Sequence, residues 1–144
     1  MAANKRRSMV IAGLVVFVSA VVALTVGAQS GPTLKITAPK DGAHVMGDTV
    51  KITWEANGVK VVPAAEAKAK EEGHFHVLLD REDFKEGVPI PPGMEKEGIY
   101  HTGASSFELK DLKAGAHKVI VVLSYNNHAP WEPLVTATVT FHKM

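Results

Sequence analysis

The stretch HKVIVVLSY, residues 117–125, is the most hydrophobic run in the chain after residue 30. A short, nearly continuous apolar run of this kind is typical of a strand that is covered on both of its faces. The stretch therefore predicts a central strand of a sheet.

The segments on either side of this run alternate between apolar and polar residues with a period of two, as half-buried strands do. This pattern predicts strands at residues 34–37, 50–55, 73–80 and 134–141. Shorter strands are predicted at residues 59–62, 99–102 and 105–109. Seven or eight short strands without a convincing long helix indicate an all-β chain folded as a β-sandwich.

The beginning of the strand series makes the fold class more specific. A short strand is followed by a Pro39-x-Asp41-Gly42 turn, a Gly-Asp turn and a second strand that contains Trp54. Many bacterial immunoglobulin-like sandwiches begin in this way. We expect an immunoglobulin-like β-sandwich over residues 33–144.

Two connecting segments interrupt the strand pattern. Residues 64–72 (AAEAKAKEE) favour an exposed helical turn or a mobile loop, because they have high helix propensity without an apolar stripe. Residues 81–98 are rich in charge, proline and glycine and predict a long loop. Long loops in small domains are often functional or mobile.

The N-terminus has the features of an export segment. Lys5, Arg6 and Arg7 precede an apolar run over residues 9–26, and Val26-Gly27-Ala28 offers the small side chains that a signal peptidase accepts. The same run is long enough to span a bilayer as a retained helical anchor. We therefore expect a signal peptide or membrane anchor at residues 1–28 and a linker at residues 29–32. Both interpretations place the sandwich outside the cytoplasm, as a periplasmic, secreted or membrane-anchored domain.

The charge of the chain depends strongly on this segment. Three of the 16 Lys and Arg residues precede residue 29 and none of the 15 acidic residues does, so 13 basic and 15 acidic residues remain, a formal charge of −2 in place of +1. A mildly acidic domain argues against nucleic-acid binding. The chain contains no cysteine, which excludes disulfides, thiolate nucleophiles, iron–sulfur clusters and blue-copper centres.

Histidines supply the one candidate site. His74 and His76 lie two residues apart on a predicted strand, so both project from one face with about 6–7 Å between their Cβ atoms. His101, on a short strand, and His128, on a loop, could reach the same end of a sandwich. Three or four imidazoles without cysteine favour Cu²⁺ or Zn²⁺. The alternative interpretation is that the same histidines form only a hydrogen-bonded structural cluster.

The motifs in the second half of the chain resemble the DUF4399 family, small exported bacterial domains of unknown function. The resemblance rests on an ordered series of short motifs: GHFHVLLD at 73–80, PIP at 89–91, IYHTG at 99–103, LKAGAH at 112–117 and NNHAPWEP at 126–133. The histidine loop of relatives often has a second histidine or an acidic residue close to the first, whereas Ala129, Pro130 and Trp131 follow His128 here. The resemblance implies export and an immunoglobulin-like fold, and places His101 and His128 at family positions.

These observations lead to three functional hypotheses. The first is an exported cell-envelope binding domain without catalysis that holds Cu²⁺ or Zn²⁺ through His74, His76, His101 and His128. The second is a structural or interaction module that contacts an envelope protein or polysaccharide, with its membrane contact limited to an uncleaved N-terminal segment. The third, a metal-dependent enzyme, has less support because the sequence contains no catalytic motif such as His-Glu-x-x-His or a nucleophile elbow.

Overall fold

The computed structural model describes residues 31–63 and 72–144. These residues form nine strands in chain order: β1 (Thr33–Ala38), β2 (Ala43–Val45), β3 (Thr49–Asn57), β4 (Lys60–Val61), β5 (Glu72–Leu79), β6 (Ile99–Thr102), β7 (Ser106–Lys110), β8 (Gly115–Ser124) and β9 (Thr136–Lys143). One turn of 3₁₀ helix, Glu95–Glu97, precedes β6.

The strands form two sheets. The smaller sheet has the order β1-β3-β7 and is antiparallel throughout. The larger sheet has the order β2-β9-β8-β5, and both β4 and β6 pair with the far edge of β5. The sheets correspond to the A-B-E and C-F-G strands of an immunoglobulin-like sandwich. The fold class is therefore confirmed, with nine strands among the described residues where seven or eight are predicted.

The main core lies between the two sheets and is built from the inward side chains of both. Trp54 and Ile52 from β3 meet Phe75 and Val77 from β5, and Trp54 contacts Phe75 edge to face with 5.3 Å between ring centroids. The run at residues 119–123 is buried, and β8 lies between β9 and β5. The predicted central strand is confirmed.

A second, smaller apolar cluster covers the outer face of the larger sheet. Leu78, Ile120 and Val122 point away from the main core and are covered by Ile90 from the loop over residues 81–98. Phe84 of the same loop packs against this cluster. The long loop is therefore folded down onto the sheet, which buries a face that would otherwise contact solvent.

Some details differ from the sequence-based expectation. Strand β2 is not predicted by the sequence and pairs in parallel with β9, and β9 begins at Thr136 in place of residue 134. Within the described ranges, no helix is both long and apolar enough to cross a membrane. The predicted signal or anchor at residues 1–28, and nearly all of the predicted helical segment at 64–72, lie outside the described residues.

Candidate metal centre

Strand β5 places two histidines on the outer face of the larger sheet. Because side chains alternate along a strand, Phe75 and Val77 enter the main core while His74 and His76 point outward with Leu78. Burial of this outer face leaves His74 1% exposed and His76 0% exposed. The two ring centroids are 4.8 Å apart.

Strand β6 adds the third histidine. It pairs antiparallel with β5 in a register that sets His101 directly opposite His76. Their ring centroids are 4.1 Å apart, the shortest of the six distances within the group. The sheet hydrogen bonds therefore hold three of the four imidazoles in place.

The fourth histidine lies in a tight loop after β8. His128 has a positive φ of 67°, and its N–H donates to the carbonyl oxygen of Tyr125 at 2.9 Å. The N–H of Tyr125 in turn donates to the carbonyl oxygen of Ala129 at 2.9 Å. The carbonyl oxygen of His128 accepts from the N–H of Ile90 at 2.9 Å, which links this loop to the long loop over the sheet.

The four imidazoles converge. One ring nitrogen from each of His74, His76, His101 and His128 lies within 4.8 Å of the others. Ligands at 2.0–2.1 Å from a tetrahedral Zn²⁺ are separated by about 3.3–3.4 Å. The widest-spaced nitrogens would therefore have to move about 1.4–1.5 Å closer to reach coordination geometry. The four predicted residues therefore come together, on the outer face of the larger sheet near the start of β5.

Most nitrogens in this group lack a partner. Within the group, five buried imidazole nitrogens have no hydrogen bond among the described residues: His74 Nδ1, His74 Nε2, His76 Nε2, His101 Nε2 and His128 Nδ1. Buried polar atoms in proteins are nearly always hydrogen-bonded, and each one left unsatisfied costs about 1–3 kcal/mol. Direct hydrogen bonds within the described residues therefore leave these five nitrogens unsatisfied.

One hydrogen bond orients the group from outside. His76 Nδ1 lies 2.8 Å from Ser124 Oγ, and both residues are buried. When Nδ1–H donates to this hydroxyl, Nε2 is left as a lone-pair donor, which is how second-shell partners prepare metal-binding histidines. Sequence reasoning missed Ser124, because its contact depends on the register between β5 and β8.

Three of the histidines, His74, His76 and His101, are held in the neutral form that binds metal ions. Burial, followed by the charges of neighbouring histidines, lowers the pKa of His74 to about 4 and the pKa of His76 to about 2. Burial also lowers the pKa of His101, against a smaller opposing effect from the carboxylate of Glu95. A histidine binds a metal ion through the lone pair of its neutral ring. At neutral pH, His74, His76 and His101 therefore need not lose a proton before binding.

A different histidine, His117, is engaged elsewhere. Its Nδ1–H donates to Asp80 Oδ2 and its Nε2–H donates to the carbonyl oxygen of Lys113, both at 2.8 Å. Both ring nitrogens face hydrogen-bond acceptors, and only the doubly protonated, charged ring can donate a hydrogen bond from each nitrogen. Burial lowers the pKa of His117, but the bonds to Lys113 and Asp80 outweigh it and the pKa is raised.

An immunoglobulin-like sandwich with a group of two buried and two half-buried histidines on its outer face defines the structural class of the protein. The chain belongs to the DUF4399 family, described as a domain of unknown function, which matches residues 50–142. This match confirms the resemblance of the motifs and includes all four histidines.

Comparisons with curated sequences and with solved structures concern the fold. No curated protein sequence matches the chain significantly. The chain is similar to the fibronectin(III)-like modules of Clostridium thermocellum CbhA, at 19% identity over 77% of this chain and 95% of that one, with a TM-score of 0.45. It is also similar to the PKD domain of human KIAA0319, at 11% identity over 83% and 88% of the two chains, with a TM-score of 0.38.

Proposed function

We propose that the chain is an exported, non-catalytic domain of the cell envelope that holds one Cu²⁺ or Zn²⁺ ion through His74, His76, His101 and His128. The observation that supports this most is the set of five buried ring nitrogens, all within these four residues, that have no partner in the described parts of the chain. A bound cation would satisfy one nitrogen of each histidine at once.

The type of donor decides the type of metal. The group consists of imidazoles alone, and imidazole suits Zn²⁺ and Cu²⁺, whereas Ca²⁺ and Mg²⁺ require oxygen ligands. At one site of this kind, Cu²⁺ binds more tightly than Zn²⁺. Four protein ligands close a tetrahedral shell, which favours holding an ion over using it for catalysis.

The location of the domain rests on the N-terminal sequence. The basic residues followed by the apolar run at 9–26 support export, by a cleaved signal or a retained anchor. A metal-binding domain delivered in this way would act in the periplasm or at the cell surface.

The proposal is tested by titrating the full chain with Zn²⁺ and Cu²⁺ in calorimetry and native mass spectrometry. We expect one Zn²⁺ ion bound with a Kd below about 10 μM, and tighter binding of Cu²⁺. His101→Ala and His128→Ala, at the two half-buried positions, should each weaken Zn²⁺ binding at least tenfold. His117→Gln, a histidine change outside the group, is the matched control and should leave the Zn²⁺ affinity unchanged. Equal affinities in all four proteins would exclude the site.

The alternative of an interaction module has less support. Its main feature is the loop over residues 81–98, and the apolar side chains Phe84, Ile90 and Met94 of this loop pack inward onto the sheet. Contact with an envelope protein or a polysaccharide is a separate prediction. A pull-down that compares the partners bound by the full chain with those bound by a chain lacking this loop would test it.

A further inference from the structure

We infer a second metal site, selective for Cu⁺, at the exposed edge where β2 and β9 pair. Two His-x-Met sequences meet there: His44-Val45-Met46 at the end of β2 and His142-Lys143-Met144 at the end of β9. The strands are parallel and His44 lies directly opposite His142. Met46 and Met144 directly follow the last residues of the two strands, Val45 and Lys143.

One donor atom from each of the two His-x-Met sequences is already in contact with the other. His44 Nδ1 lies 3.3 Å from Met144 Sδ, and the rings of His44 and His142 are stacked with their centroids 5.4 Å apart. A nitrogen at about 2.0 Å and a sulfur at about 2.3 Å from one ion lie about 3.3–3.5 Å apart at near-tetrahedral angles. The backbone continues the pairing, since the N–H of Met144 donates to the carbonyl oxygen of Val45 at 3.0 Å.

Exposure of the methionines supports a role other than packing. Met46 is 80% exposed and Met144 is 62% exposed, whereas large apolar side chains in this fold are mostly buried. Thioether is a soft ligand that selects Cu⁺ over Zn²⁺, Mg²⁺ and Ca²⁺. Two imidazoles and two thioethers form a neutral, soft donor set suited to that ion.

This site is separate from the four-histidine group and does not depend on it. Along β8, His142 lies opposite Ala116 and His74 lies opposite Ser124. Eight residues of strand separate these positions by about 26 Å. One ion cannot bridge that distance, so the two sites should load independently.

The affinity test uses the full chain under anaerobic conditions, with Cu⁺ supplied by a competing chromophoric chelator. Met144→Leu keeps the size of the side chain and removes the sulfur, and it should weaken Cu⁺ binding at least about tenfold, or 1.4 kcal/mol. Met46→Leu should weaken it in the same direction. Met94→Leu, which removes a thioether elsewhere in the fold, is the matched control and should leave Cu⁺ binding at this site unchanged. Equal Cu⁺ affinity in the wild type and Met144→Leu would overturn the inference.

A second readout separates this site from the four-histidine group. In the chain with ¹³C-labelled methionine methyl groups, one equivalent of Ag⁺, a redox-inert substitute for Cu⁺, should shift the Met46 and Met144 signals in both the wild type and His101→Ala. Unshifted signals in the wild type would reject the Cu⁺ site and leave the divalent site standing. Loss of Zn²⁺ binding in His101→Ala with intact methyl shifts would support both sites. Unchanged Zn²⁺ binding in that variant would reject only the divalent site.

Discussion

His76 and His101 face each other across β5 and β6, with ring centroids 4.1 Å apart and ring planes at 69°. The Nε2 atoms of both rings are buried without a hydrogen-bond partner in the described structure. Two protonated rings at this distance would repel each other inside the protein, and two neutral rings leave lone pairs unused. The proposed cation would lie where it can accept a lone pair from each ring.

Metal binding should therefore stabilise the fold. Zn²⁺ at 100 times its Kd should add about 2.7 kcal/mol to the free energy of unfolding, because only the folded chain brings the four histidines together. Differential scanning fluorimetry of the full chain should show a rise in Tm of several degrees, reversed by a chelator. His128→Ala should remove most of this rise. A wild-type Tm that does not change when Zn²⁺ is added would contradict the prediction.

Ser124 should tune the affinity of the site without binding the ion. Ser124→Ala removes the hydroxyl that lies 2.8 Å from His76 Nδ1, so the ring loses the contact that sets its tautomer and orientation. Loss of such a second-shell partner typically weakens metal binding 10–100-fold, which calorimetry with Zn²⁺ would measure. Thr138→Ala, an exposed hydroxyl change on β9, is the control. If both variants bind Zn²⁺ equally well, the bond does not orient His76.

The metal-free protein should lose stability as the pH falls below about 6.5. Unfolded histidines have a pKa near 6.5, whereas the folded values are about 4 for His74 and about 2 for His76. Between pH 6.5 and 4 the unfolded chain binds protons that the folded chain does not. Each of the two residues then lowers the free energy of unfolding by about 1.4 kcal/mol per pH unit.

Urea denaturation of the metal-free full chain at several pH values between 7.5 and 4.5 measures this dependence. His74→Gln removes one of the two groups, so its slope should be smaller than that of the wild type by about 1.4 kcal/mol per pH unit. Equal slopes would show that His74 takes up its proton in the folded state at an ordinary pKa.

The sequence predicts the fold to the extent that periodicity decides it. The nearly continuous apolar run at 117–125 is sufficient to identify the central strand, and the alternation along β5 assigns Phe75 to the core and His76 to the opposite face. The three residues of β2 are too few to show such a pattern. This strand forms because it pairs with β9, which lies far along the chain.

The sequence predicts which four histidines form the candidate site, but it does not predict the residues that contact them. Strand spacing and family positions are sufficient to select the four histidines. The position of Ile90, which packs on the same outer face and donates its N–H to the carbonyl oxygen of His128, depends on the path of the long loop. The contact of His76 with Ser124 and that of His117 with Asp80 depend on strand register and loop geometry, which the sequence pattern does not specify.

Asp80 should stabilise the protein most at mildly acidic to neutral pH. Its carboxylate accepts hydrogen bonds from His117 Nδ1–H and from the N–H of Lys118, and the raised pKa of His117 means that the folded chain favours the charged ring. This contribution is complete below the unfolded pKa of about 6.5 and is lost as the pH rises through the higher folded value. Asp80→Asn keeps an acceptor and tolerates the positive φ of 54° but removes the charge.

Urea denaturation should show Asp80→Asn to be less stable than the wild type at pH 6 by about 0.5–1 kcal/mol, a modest value because the carboxylate is partly exposed. The difference should shrink at pH 9, where His117 is neutral. A difference that is the same at both pH values would mean that the ion pair contributes nothing.

Gly73 should be essential for both the fold and the site. A Cβ at this position would lie 2.8 Å from the carbonyl oxygen of Ser124 and 3.1 Å from Cζ3 of Trp131, and the first of these belongs to the backbone of a central strand. Since Gly73 directly precedes His74, relief of the clash must move β5 away from β8 or shift the loop that contains Trp131.

We expect Gly73→Ala to lower the free energy of unfolding by about 1–3 kcal/mol and to weaken Zn²⁺ binding. Gly31→Ala, where a Cβ meets nothing within 4 Å, should change stability by less than about 0.5 kcal/mol. Equal stability of the two variants would mean that β5 and β8 can separate at this point without cost.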